Sequence, residues 1–350
     1  MTILVTGGAG YIGSHMVLEL VDAGERLVVL DNLSAGFPWA VAEGVPLVVG
    51  DSGDQPLVAR LIRDHGIDAI IHFAASVVVP ESVRDPLGYY RNNTVNSRAL
   101  IECAIASGIR QFIFSSTAAV YGDPVKIPAN EDTPTQPTSP YGWSKLMTEI
   151  MLRDAARAHG LSYVILRYFN VAGGDPRRRA GQSSKAATHL IKVAVETALG
   201  LRPKLEIFGT DYPTPDGTCI RDYIHVSDLT RAHLDALRHL RAGRPSLTLN
   251  CGYGHGSSVR EVIDTVKQVA AVDFRVETAP RRAGDPARIV ADAEKARTML
   301  GFKPRFDNLA TIVEHALAWE RELMVRRARA QPEPAASAPP GSERAGRRAK

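Results

Sequence analysis

The feature that most restricts the fold of this chain is a glycine-rich turn near its start. The apolar run Ile3-Leu4-Val5 is followed almost at once by Gly7-Gly8-Ala9-Gly10-Tyr11-Ile12-Gly13, where a helical pattern begins. Gly8, Gly10 and Gly13 fit the spacing G-x-G-x-x-G. In a strand–turn–helix unit this spacing lets the backbone approach a pyrophosphate at the helix N-terminus. The alternative is a glycine-rich turn without a ligand, and the rest of the chain decides between the two.

The second apolar run ends in an acidic residue. Leu27-Val28-Val29-Leu30 leads into Asp31-Asn32, eighteen residues beyond Gly13. A carboxylate at this place accepts hydrogen bonds from the adenosine ribose and repels a 2′-phosphate. No arginine adjoins it. We therefore expect a dinucleotide site that prefers NAD to NADP.

Later apolar runs also end in polar or small residues. Residues 46–49 are followed by Asp51 and Ser52, and residues 69–73 by Ala74 and Ala75. Helical patterns separate these runs, which predicts an α/β fold with a Rossmann-type, doubly wound parallel sheet and a ligand at the carboxyl ends of its strands. This setting favours the dinucleotide hypothesis over an empty turn.

Two further polar stretches follow in the first half of the chain. Residues 85–108 predict one long helix, and one of its asparagines can face a cofactor. These asparagines are Asn92, Asn93 and Asn96, along one side of the helix. Residues 111–114 predict a fifth strand, which ends in Ser115-Ser116-Thr117. These hydroxyls either bind a substrate oxygen or cap the strand end.

Tyr141 and Lys145 stand four residues apart in a predicted helix that Ser139 caps and Pro140 begins. The spacing puts both side chains on one face, so the ammonium of Lys145 can lower the pKa of Tyr141. Bringing a tyrosine pKa from ~10 to neutrality takes about 4 kcal/mol, which one charge at ~4 Å supplies only at a partly dry site. Alone, the pair is more typical of a solvated helical face. Its place beside the predicted cofactor favours a catalytic role.

The positive net charge of the chain comes from its end. The chain carries a net charge of +4, but residues 326–350 hold seven Arg and Lys against two Glu, so the remainder is close to neutral. This distribution excludes a nucleic-acid-binding surface on the body of the protein. The final segment is rich in Pro, Ala, Ser and Gly, so we expect residues 326–350 to form a disordered basic tail.

Cysteine usage and the N-terminus indicate a cytoplasmic protein. Cys103, Cys219 and Cys251 lie far apart and fit neither a disulfide framework nor a zinc site, so we expect reduced core residues. The first residues lack the pattern of a signal peptide, and no stretch is long enough to span a membrane. The histidines show no paired metal-ligand spacing, so no metal site is expected.

Several longer motifs are more specific than the short ones. They lie at residues 6–15, 31–33, 114–122, 139–145, 166–170, 207–228 and 281–285. Together they resemble the extended short-chain dehydrogenase/reductases, the NAD-dependent epimerase/dehydratase family, from residue 2 to about residue 325. The resemblance implies NAD as cofactor and 4-epimerisation of a UDP-sugar, with UDP-glucose and UDP-galactose as the expected pair.

The resemblance also implies the residues of the site. Tyr141, Lys145 and Thr117 are implied as the catalytic residues. Cofactor contacts are implied at Gly7, Gly10, Tyr11, Ile12, Gly13, Asp31, Asn32, Asp51, Ser52, Phe73, Ala74, Ala75, Asn92, Ser115, Tyr141, Lys145 and Tyr168. Substrate contacts are implied at Thr117, Asn170, His189, Leu190, Phe208, Arg221, Tyr223, Arg282, Asp285 and Ile289.

In the implied mechanism, Tyr141 takes the proton of the sugar 4-hydroxyl while the carbon 4 hydride passes to NAD, and the hydride returns to the other face of a 4-keto sugar. Lys145 lowers the Tyr141 pKa, and Thr117 binds the 4-oxygen.

We expect a homodimer with an NAD domain at 1–170 and a smaller, interleaved substrate domain at 171–325. Residues 221–228 and 248–251 are expected to return towards the sheet. The arginines at 177–179 are expected to lie in a solvated loop.

Four positions matter for the resemblance. Val77 stands where bacterial relatives often carry a lysine that contacts the nicotinamide ribose, and His189 stands where asparagine is frequent. Thr117 replaces a frequent serine and keeps the hydroxyl. Ile289 occupies a position that acts as a size gate, and its intermediate size predicts weak activity on N-acetylhexosamines.

Two alternatives stay open, and a third is disfavoured. A 4-epimerase of a UDP-linked N-acetylhexosamine, pentose or uronate would share these motifs. A 4,6-dehydratase needs an Asp-Glu pair after Thr117, where Ala118-Ala119 stands instead. A non-catalytic NAD-sensing protein on the same fold would be expected to lack Tyr141 or Lys145.

Overall fold

The structure is a computed structural model that describes residues 1–184, 187–282 and 284–330. Its strands in these ranges are β1 (Thr2–Thr6), β2 (Arg26–Asp31), β3 (Leu47–Val49), β4 (Ile67–His72), β5 (Gln111–Thr117), β6 (Ser162–Tyr168), β7 (Asn170–Ala172), β8 (Leu205–Phe208), β9 (Ile220–Arg221), β10 (Tyr223–His225), β11 (Leu247–Cys251), β12 (Ser257–Ser258), β13 (Val276–Ala279) and β14 (Arg288–Ile289).

The α-helices connect and cover these strands. They are α1 (Tyr11–Asp22), α2 (Gln55–His65), α3 (Val79–Arg84), α4 (Pro86–Tyr89), α5 (Asn96–Ala106), α6 (Pro140–His159), α7 (Leu190–Ala198), α8 (Val226–Arg241), α9 (Val259–Ala270), α10 (Glu294–Leu300) and α11 (Leu309–Ala330). Short 3₁₀ helices lie at Pro38–Ala40 and Ala118–Tyr121.

A seven-stranded sheet forms the centre of the molecule, in the order β11-β6-β5-β4-β1-β2-β3. Every neighbouring pair in it is parallel. The predicted α/β fold with a doubly wound parallel sheet is therefore confirmed. Because all strands run the same way, their carboxyl ends share one edge, where the predicted cofactor residues follow β1 to β5.

The two faces of the sheet carry separate apolar cores. In β1, Ile3 and Val5 belong to a cluster with residues of α1 and α8, whereas Leu4 belongs to a cluster with α2, α5 and α6. Side chains alternate between faces along a strand, so a strand buried on both faces is apolar throughout. This is why the sequence shows continuous apolar runs.

Three smaller sheets are built from the second half of the chain. β10 pairs with β7, β13 with β8, and β9 lies between β12 and β14. Residues 248–251 lie in β11, which is the last strand of the central sheet, beside β6. The segment 221–228 pairs through β10 with β7 and continues into α8.

The predicted long helix at 85–108 is present with a local change of pitch. α4 and α5 are joined by a π-helical turn at Tyr90–Val95. A π turn holds one extra residue, which rotates the side chains that follow it, and such turns occur often at functional sites.

The predicted disordered tail begins too early. α11 continues to Ala330, so the prediction is wrong for 326–330, and 331–350 lies outside the described residues. Leu323 is buried, and Arg326 pairs with Glu322 one turn earlier. Burial and the i,i+4 ion pair carry the helix past the last strongly apolar positions.

The loop after β2 is held by the last helix. Phe37 N–H donates to the Ala9 carbonyl at 3.0 Å. Phe37 stacks on Trp39 at 5.1 Å between ring centroids, and Trp39 stacks on Trp319 of α11 at 6.3 Å. The guanidinium of Arg326 lies over both indole rings. A single aromatic column therefore connects the glycine-rich turn with α11.

All three cysteines are free and buried, as predicted. Within the described ranges, no helix combines the length and the apolar character that crossing a bilayer requires.

Candidate active site

The glycine-rich turn lies tightly against the start of the loop after β4. Gly7 has φ +72°, and a Cβ there would lie 2.6 Å from the Ala74 nitrogen. A Cβ on Gly13 would overlap the Gly7 carbonyl oxygen. Both positions therefore require glycine, one for its backbone conformation and one for close packing between turn and helix.

The N-terminus of α1 is suited to an anion. Its N-cap, Gly10, offers no side-chain hydrogen bond, and the first turn carries no acidic residue. The first-turn N–H groups of Tyr11, Ile12 and Gly13 therefore have no capping side chain and lie at the positive end of a twelve-residue helix. These residues fit a pyrophosphate group of a dinucleotide.

Two carboxylates, those of Asp31 and Asp51, accept hydrogen bonds at the ends of β2 and β3. Asp31 accepts hydrogen bonds from Ala9 N at 2.9 Å and Leu33 N at 2.8 Å, which ties it to the glycine-rich turn. Asp51 accepts from Gly53 N and from Asn96 Nδ2, both at 2.8 Å.

Asn32 Nδ2 lies 3.4 Å from Asp51, and Ser52 is buried beside it. The structure thus brings Asp31, Asn32, Asp51 and Ser52 together, and the carboxylate oxygens keep lone pairs for ribose hydroxyls.

The loop after β4 is fastened by the π-helical turn. Ser76 N–H donates to Asn93 Oδ1 at 2.8 Å, and Asn93 Nδ2 donates to the Ser76 carbonyl at 2.9 Å. Asn92 Nδ2 donates to Ser76 Oγ at 2.9 Å. Phe73, Ala74 and Ala75 are therefore held next to the glycine-rich turn, and Val77 follows with an exposed side chain.

The three hydroxyls at the end of β5 have three different partners. Ser115 Oγ bonds to His233 Nε2 at 2.9 Å. Because His233 Nδ1 lies 2.9 Å from the Leu229 carbonyl, Nδ1 carries the proton and Ser115 donates to Nε2. Ser116 Oγ donates to Glu149 at 2.5 Å. Thr117 Oγ accepts from Ala119 N at 3.1 Å and lies beside the phenol of Tyr141, whose pKa it lowers.

Tyr141 lies in the first turn of α6. Ser139 caps this helix by accepting from Gly142 N at 3.2 Å, as predicted. Burial raises the pKa of Tyr141 to about 12, and the hydrogen bond from Thr117 acts in the opposite direction. Burial raises the pKa of Tyr168, at the end of β6, and the nearby Tyr141 raises it further.

Lys145 follows one turn later and is 2% exposed. Its Nζ donates to the Ser115 carbonyl at 3.0 Å and lies 4.9 Å from the centre of the Phe114 ring. Burial lowers the pKa of Lys145 to about 7, while the charge of Glu149 raises it.

The expected depression of the Tyr141 pKa is therefore absent from this structure. Sharing a helical face does not bring the two polar ends into contact, because Lys145 reaches the Ser115 carbonyl on β5 instead. Loss of hydration dominates both groups and disfavours the charged form of each.

Four of the predicted substrate residues line one cleft. Asn170, His189, Leu190 and Tyr223 surround it together with Gln182 and Trp319. β7 and β10 align Asn170 with Tyr223. His189 precedes α7 and its Nδ1 bonds with Gln182 Nε2 at 2.8 Å.

The other predicted substrate residues form a neighbouring group. Arg221 of β9 pairs with Asp285, and the guanidinium of Arg282 lies 3.8 Å from the ring centre of Phe208. Ile289 of β14 is aligned with Arg221 and is buried. Ala283, which lies between Arg282 and Asp285 in sequence, is outside the described residues.

Small strands join these two groups into one surface. Arg221 is close enough to Tyr223 to lower its pKa, although burial raises that pKa more strongly. Guanidinium groups beside an aromatic ring and a cleft with amide and imidazole donors suit a nucleoside diphosphate.

The arginines at 177–179 do not form a free, solvated loop. Arg177 pairs with Asp22, and Arg179 lies 3.0 Å from Asp22 and 2.9 Å from Asp175. These pairs fasten the loop after β7 to the end of α1, so the prediction is wrong for Arg179, which is partly buried, whereas Arg177 is exposed. Their partner Asp22 is distant in sequence, and no local pattern indicates the contact.

Several buried polar residues of the site were not predicted. His72 bonds to Thr6 at 2.6 Å and to Ser97 at 2.8 Å, and burial together with the charge of Lys145 lowers its pKa to about 3. His233 supports Ser115 from α8. Glu149 and Arg167 form a buried ion pair at 2.6 Å. Two signals were available: Glu149 continues the spacing of Tyr141 and Lys145, and Arg167 interrupts an apolar strand.

Comparisons with known proteins give one consistent answer. The chain matches the model of the NAD dependent epimerase/dehydratase family over residues 3–252. It is 59% identical over 321 residues to the UDP-glucose 4-epimerase of Azospirillum brasilense, and the match covers 92% of each protein.

Solved structures agree with this match. That of UDP-glucose 4-epimerase from Brucella ovis in complex with NAD has a TM-score of 0.88 at 43% identity, covering 91% of this chain and 97% of that chain. That of the UDP-Glc/GlcNAc 4-epimerase from Campylobacter jejuni has a TM-score of 0.80 at 49% identity, covering 92% and 99%.

Proposed function

Because the chain belongs to the NAD dependent epimerase/dehydratase family, we propose that it interconverts UDP-glucose and UDP-galactose by removing and returning the hydride at carbon 4 of the sugar. The observation that carries this proposal is the position of Tyr141. Its phenol lies beside the Thr117 hydroxyl, which lowers its pKa, at the sheet edge that also holds the glycine-rich turn, and Lys145 follows one turn later in α6.

Tyr141 acts as the proton acceptor and donor. It takes the proton of the 4-hydroxyl as the carbon–hydrogen bond at carbon 4 breaks, and it gives the proton back when that bond forms on the other face. The neighbouring Thr117 hydroxyl favours the phenolate. Lys145 is the cation one turn along the same helix, and its charge changes across the neutral range because burial lowers its pKa to about 7.

The residues at the sheet edge hold the cofactor. The N-terminus of α1 suits the pyrophosphate, and Asp31 and Asp51 suit the hydroxyls of the adenosine ribose. When bound, NAD supplies the acceptor and later the donor of the carbon 4 hydride.

The substrate surface holds UDP more firmly than the sugar. Arg221, Arg282 and His189 offer charged or polar donors to the diphosphate and uracil, whereas Ile289 presents an apolar side chain. Epimerisation requires the oxidised sugar to present its other face, so strong anchoring belongs on UDP and weak contacts on the hexose.

Turnover of UDP-galactose by the purified protein tests the proposal. Formation of UDP-glucose is expected, and Tyr141→Phe is expected to lower kcat by roughly 10²- to 10⁴-fold with UDP affinity unchanged. Tyr163→Phe is the matched control, because Tyr163 lies near the amino end of β6, away from the site. No turnover by the wild type would overturn the proposal and leave another UDP-sugar or NAD sensing as the alternatives, whereas full activity of Tyr141→Phe would remove Tyr141 from the mechanism.

A second substrate class has support from one observation. The Campylobacter jejuni relative is a UDP-Glc/GlcNAc 4-epimerase by name. Ile289 is buried among Ala118, Val120 and other residues of a small apolar cluster, which restricts space beside the substrate surface. We therefore propose weak N-acetylhexosamine activity. A panel of UDP-linked hexoses, N-acetylhexosamines and pentoses decides this, and equal turnover of N-acetylglucosamine and glucose would contradict it.

We further propose that the protein is a homodimer. Trp143, Met147 and Ile150 are exposed on α6 at a spacing that forms one stripe, beside the exposed Leu87 of α4 and Val95 of the π turn. Such a stripe is self-complementary across a twofold axis, where the same patch of two copies meets.

Sedimentation of the intact chain tests the dimer. Met147→Glu is expected to give a monomer, whereas Val325→Glu, at an exposed apolar position of α11, should leave the dimer intact. A wild-type monomer at micromolar concentration, or a dimeric Met147→Glu, would contradict the proposal.

Buried free cysteines support a reducing compartment, and we propose the cytoplasm. The division into an NAD domain and a substrate domain also stays a proposal. The substrate residues of the second half and the glycine-rich turn of the first support it.

A further inference from the structure

Ser116 is the hydroxyl at the end of β5 that bonds to neither Tyr141 nor His233. Its Oγ donates to Glu149 Oε1 at 2.5 Å, and Glu149 has no exposed surface. Glu149 stands one turn beyond Lys145, as Lys145 stands one turn beyond Tyr141. One side of α6 thus carries the phenol, the ammonium and a buried carboxylate in succession.

Arg167 of β6 completes the environment of Glu149. Arg167 Nη2 lies 2.6 Å from Glu149 Oε2, and Nε lies 3.0 Å from Oε1. Arg167 Nη1 donates to the Tyr121 hydroxyl at 3.0 Å, and Tyr121 donates to Asn250 at 2.7 Å. Every member of this chain of hydrogen bonds has a partner, which fixes its geometry.

The hydrogen bonds hold the catalytic segment on both sides. Ser116 directly precedes Thr117, and Tyr121 lies in the 3₁₀ helix that directly follows it. The network therefore fastens the end of β5 to α6 and β6. A buried ion pair is weak evidence for stability, since apolar pairs of similar size are often as stable. Its position around Thr117 is the informative feature.

Lys145 is surrounded by a small set of ionisable groups. His72 faces it from β4, and Tyr141 and Glu149 flank it on α6. His72 is neutral at pH 7, because burial and the Lys145 charge lower its pKa to about 3. Glu149 is the group that raises the pKa of Lys145 against burial.

We propose that Glu149, locked by Arg167 and Ser116, is a positioning residue that holds the Ser115 carbonyl at Lys145 and Thr117 at Tyr141. This inference rests on the proposed function, since it assigns Glu149 to the same site. Glu149 acts through its neighbours and touches neither the sugar nor the cofactor.

Two variants separate geometry from charge. Glu149→Gln keeps an acceptor for Ser116 and removes the charge, whereas Glu149→Leu with Arg167→Met removes the whole pair without leaving an unpaired ion. In the double variant, kcat is expected to fall roughly tenfold to a hundredfold, because the catalytic groups lose their fixed geometry. The dissociation constant for UDP is expected to stay unchanged.

The pH profile is a readout that a purely structural pair would not move. In both variants the alkaline fall of kcat should shift to lower pH, since Lys145 loses the carboxylate that favours its charged form. Glu149→Gln should keep more kcat than the double variant, because the bond to Ser116 survives. The matched control is Glu25→Leu with Arg241→Met, a partly buried pair at 2.7 Å outside the site, which should change neither kcat nor the profile.

The inference and the proposed function fail in different ways. Absence of UDP-galactose turnover in the wild type refutes the function alone. The Lys145 Cε resonance in ¹³C-lysine-labelled protein, assigned by its loss in Lys145→Arg, then reports the Lys145 pKa without substrate. The inference is overturned if the folded double variant keeps the wild-type kcat, pH profile and Lys145 titration. If the double variant does not fold, an unshifted Lys145 titration in Glu149→Gln overturns the inference.

Discussion

Burial of the charged Lys145 side chain lowers the stability of the folded protein, and the proposed reaction uses the same charge. It is almost fully buried, and burial lowers its pKa to about 7 from the ordinary lysine value of 10.5. At pH 6 the folded protein therefore holds an ammonium that would be better hydrated in the unfolded chain. The charge is retained where the proposed reaction needs it.

Lys145→Met is expected to stabilise the protein near neutral pH while abolishing turnover. Because the folded pKa is lowered, the unfolded state binds more protons between about pH 7 and about pH 10, so wild-type stability rises with pH across that window. The gain in Lys145→Met should be on the order of a few kcal/mol at about pH 6 and shrink towards about pH 10. Urea unfolding across this range measures it.

Lys303→Met serves as the control, because Lys303 is exposed and its removal should leave the pH dependence unchanged. A Lys145→Met variant less stable than the wild type at every pH would contradict the argument.

Under the proposed function, Ile289 limits which sugar fits. Shortening it with Ile289→Ala should raise the ratio of N-acetylglucosamine to glucose turnover by roughly tenfold, since a few methylene groups are worth about 1–3 kcal/mol in a pocket. The change also leaves a cavity and should cost roughly 2–5 kcal/mol of folding stability. The ratio of kcat/KM values for the two substrates is the measurement.

Val290→Ala controls for the cavity. Val290 is equally buried and follows Ile289 directly, beyond the end of β14. Its variant should lose comparable stability with no change in the ratio, and an equal change in both variants would remove Ile289 from its assigned role.

Among elements, α6 depends most on its first turn. Ser139 accepts from Gly142 N, and Tyr141 lies between them in sequence. Ser139→Ala should cost about 1 kcal/mol of stability, as loss of an N-cap does. It should also lower kcat, because fraying would release Tyr141 from Thr117. Thermal unfolding and UDP-galactose turnover measure the two effects.

Removal of the N-cap of α2 separates the effect on stability from the effect on kcat. Asp54→Ala removes a cap that accepts from Leu57 N at 3.0 Å, far from Tyr141 in sequence and on another helix. It should cost similar stability and leave kcat unchanged. Equal losses of kcat in both variants would show that capping matters only through stability.

Much of the architecture at this scale was predictable, because each element has a local cause. Apolar runs gave the parallel strands, and the Ser139-Pro140 pair gave the start of α6. The π turn has no such local cause. It depends on Asn93, whose partners Ser76 and Ser144 lie elsewhere in the chain.

The candidate site was likewise predictable only in part. The positions of Tyr141, Lys145 and Thr117 followed from motifs, whereas the direction of the Tyr141 pKa did not. That direction depends on which groups surround the phenol, and the bond of Lys145 to Ser115 is a tertiary contact. The pairs of Arg177 and Arg179 with Asp22 were missed for the same reason.

At the scale of the whole molecule, buried histidines couple stability to acidity. Burial is the main cause that lowers the pKa of His15 and His233 to about 4 and of His72 and His225 to about 3. The unfolded chain takes up these protons near pH 6.5, and the folded protein resists them until about pH 4.

Stability should therefore be independent of these groups above about pH 7 and fall as pH drops from about 6.5 to about 4, by roughly 1.4 kcal/mol per pH unit for each histidine. Unfolding free energies from urea titrations between about pH 7.5 and about pH 4.5 measure the slope. His233→Gln should flatten it, and the exposed His159→Asn should not. A flat wild-type curve would contradict the prediction.

The column of Phe37, Trp39 and Trp319 has a consequence for the order in which the protein is made. Trp39 belongs to the loop that follows β2 and Trp319 belongs to α11, so a ribosome makes Trp319 long after Trp39. Until α11 leaves the ribosome, the loop beside the glycine-rich turn lacks the ring that it stacks on. A nascent chain can therefore assemble the first strands early, but it completes this side of the proposed cofactor site only after α11 has been synthesised.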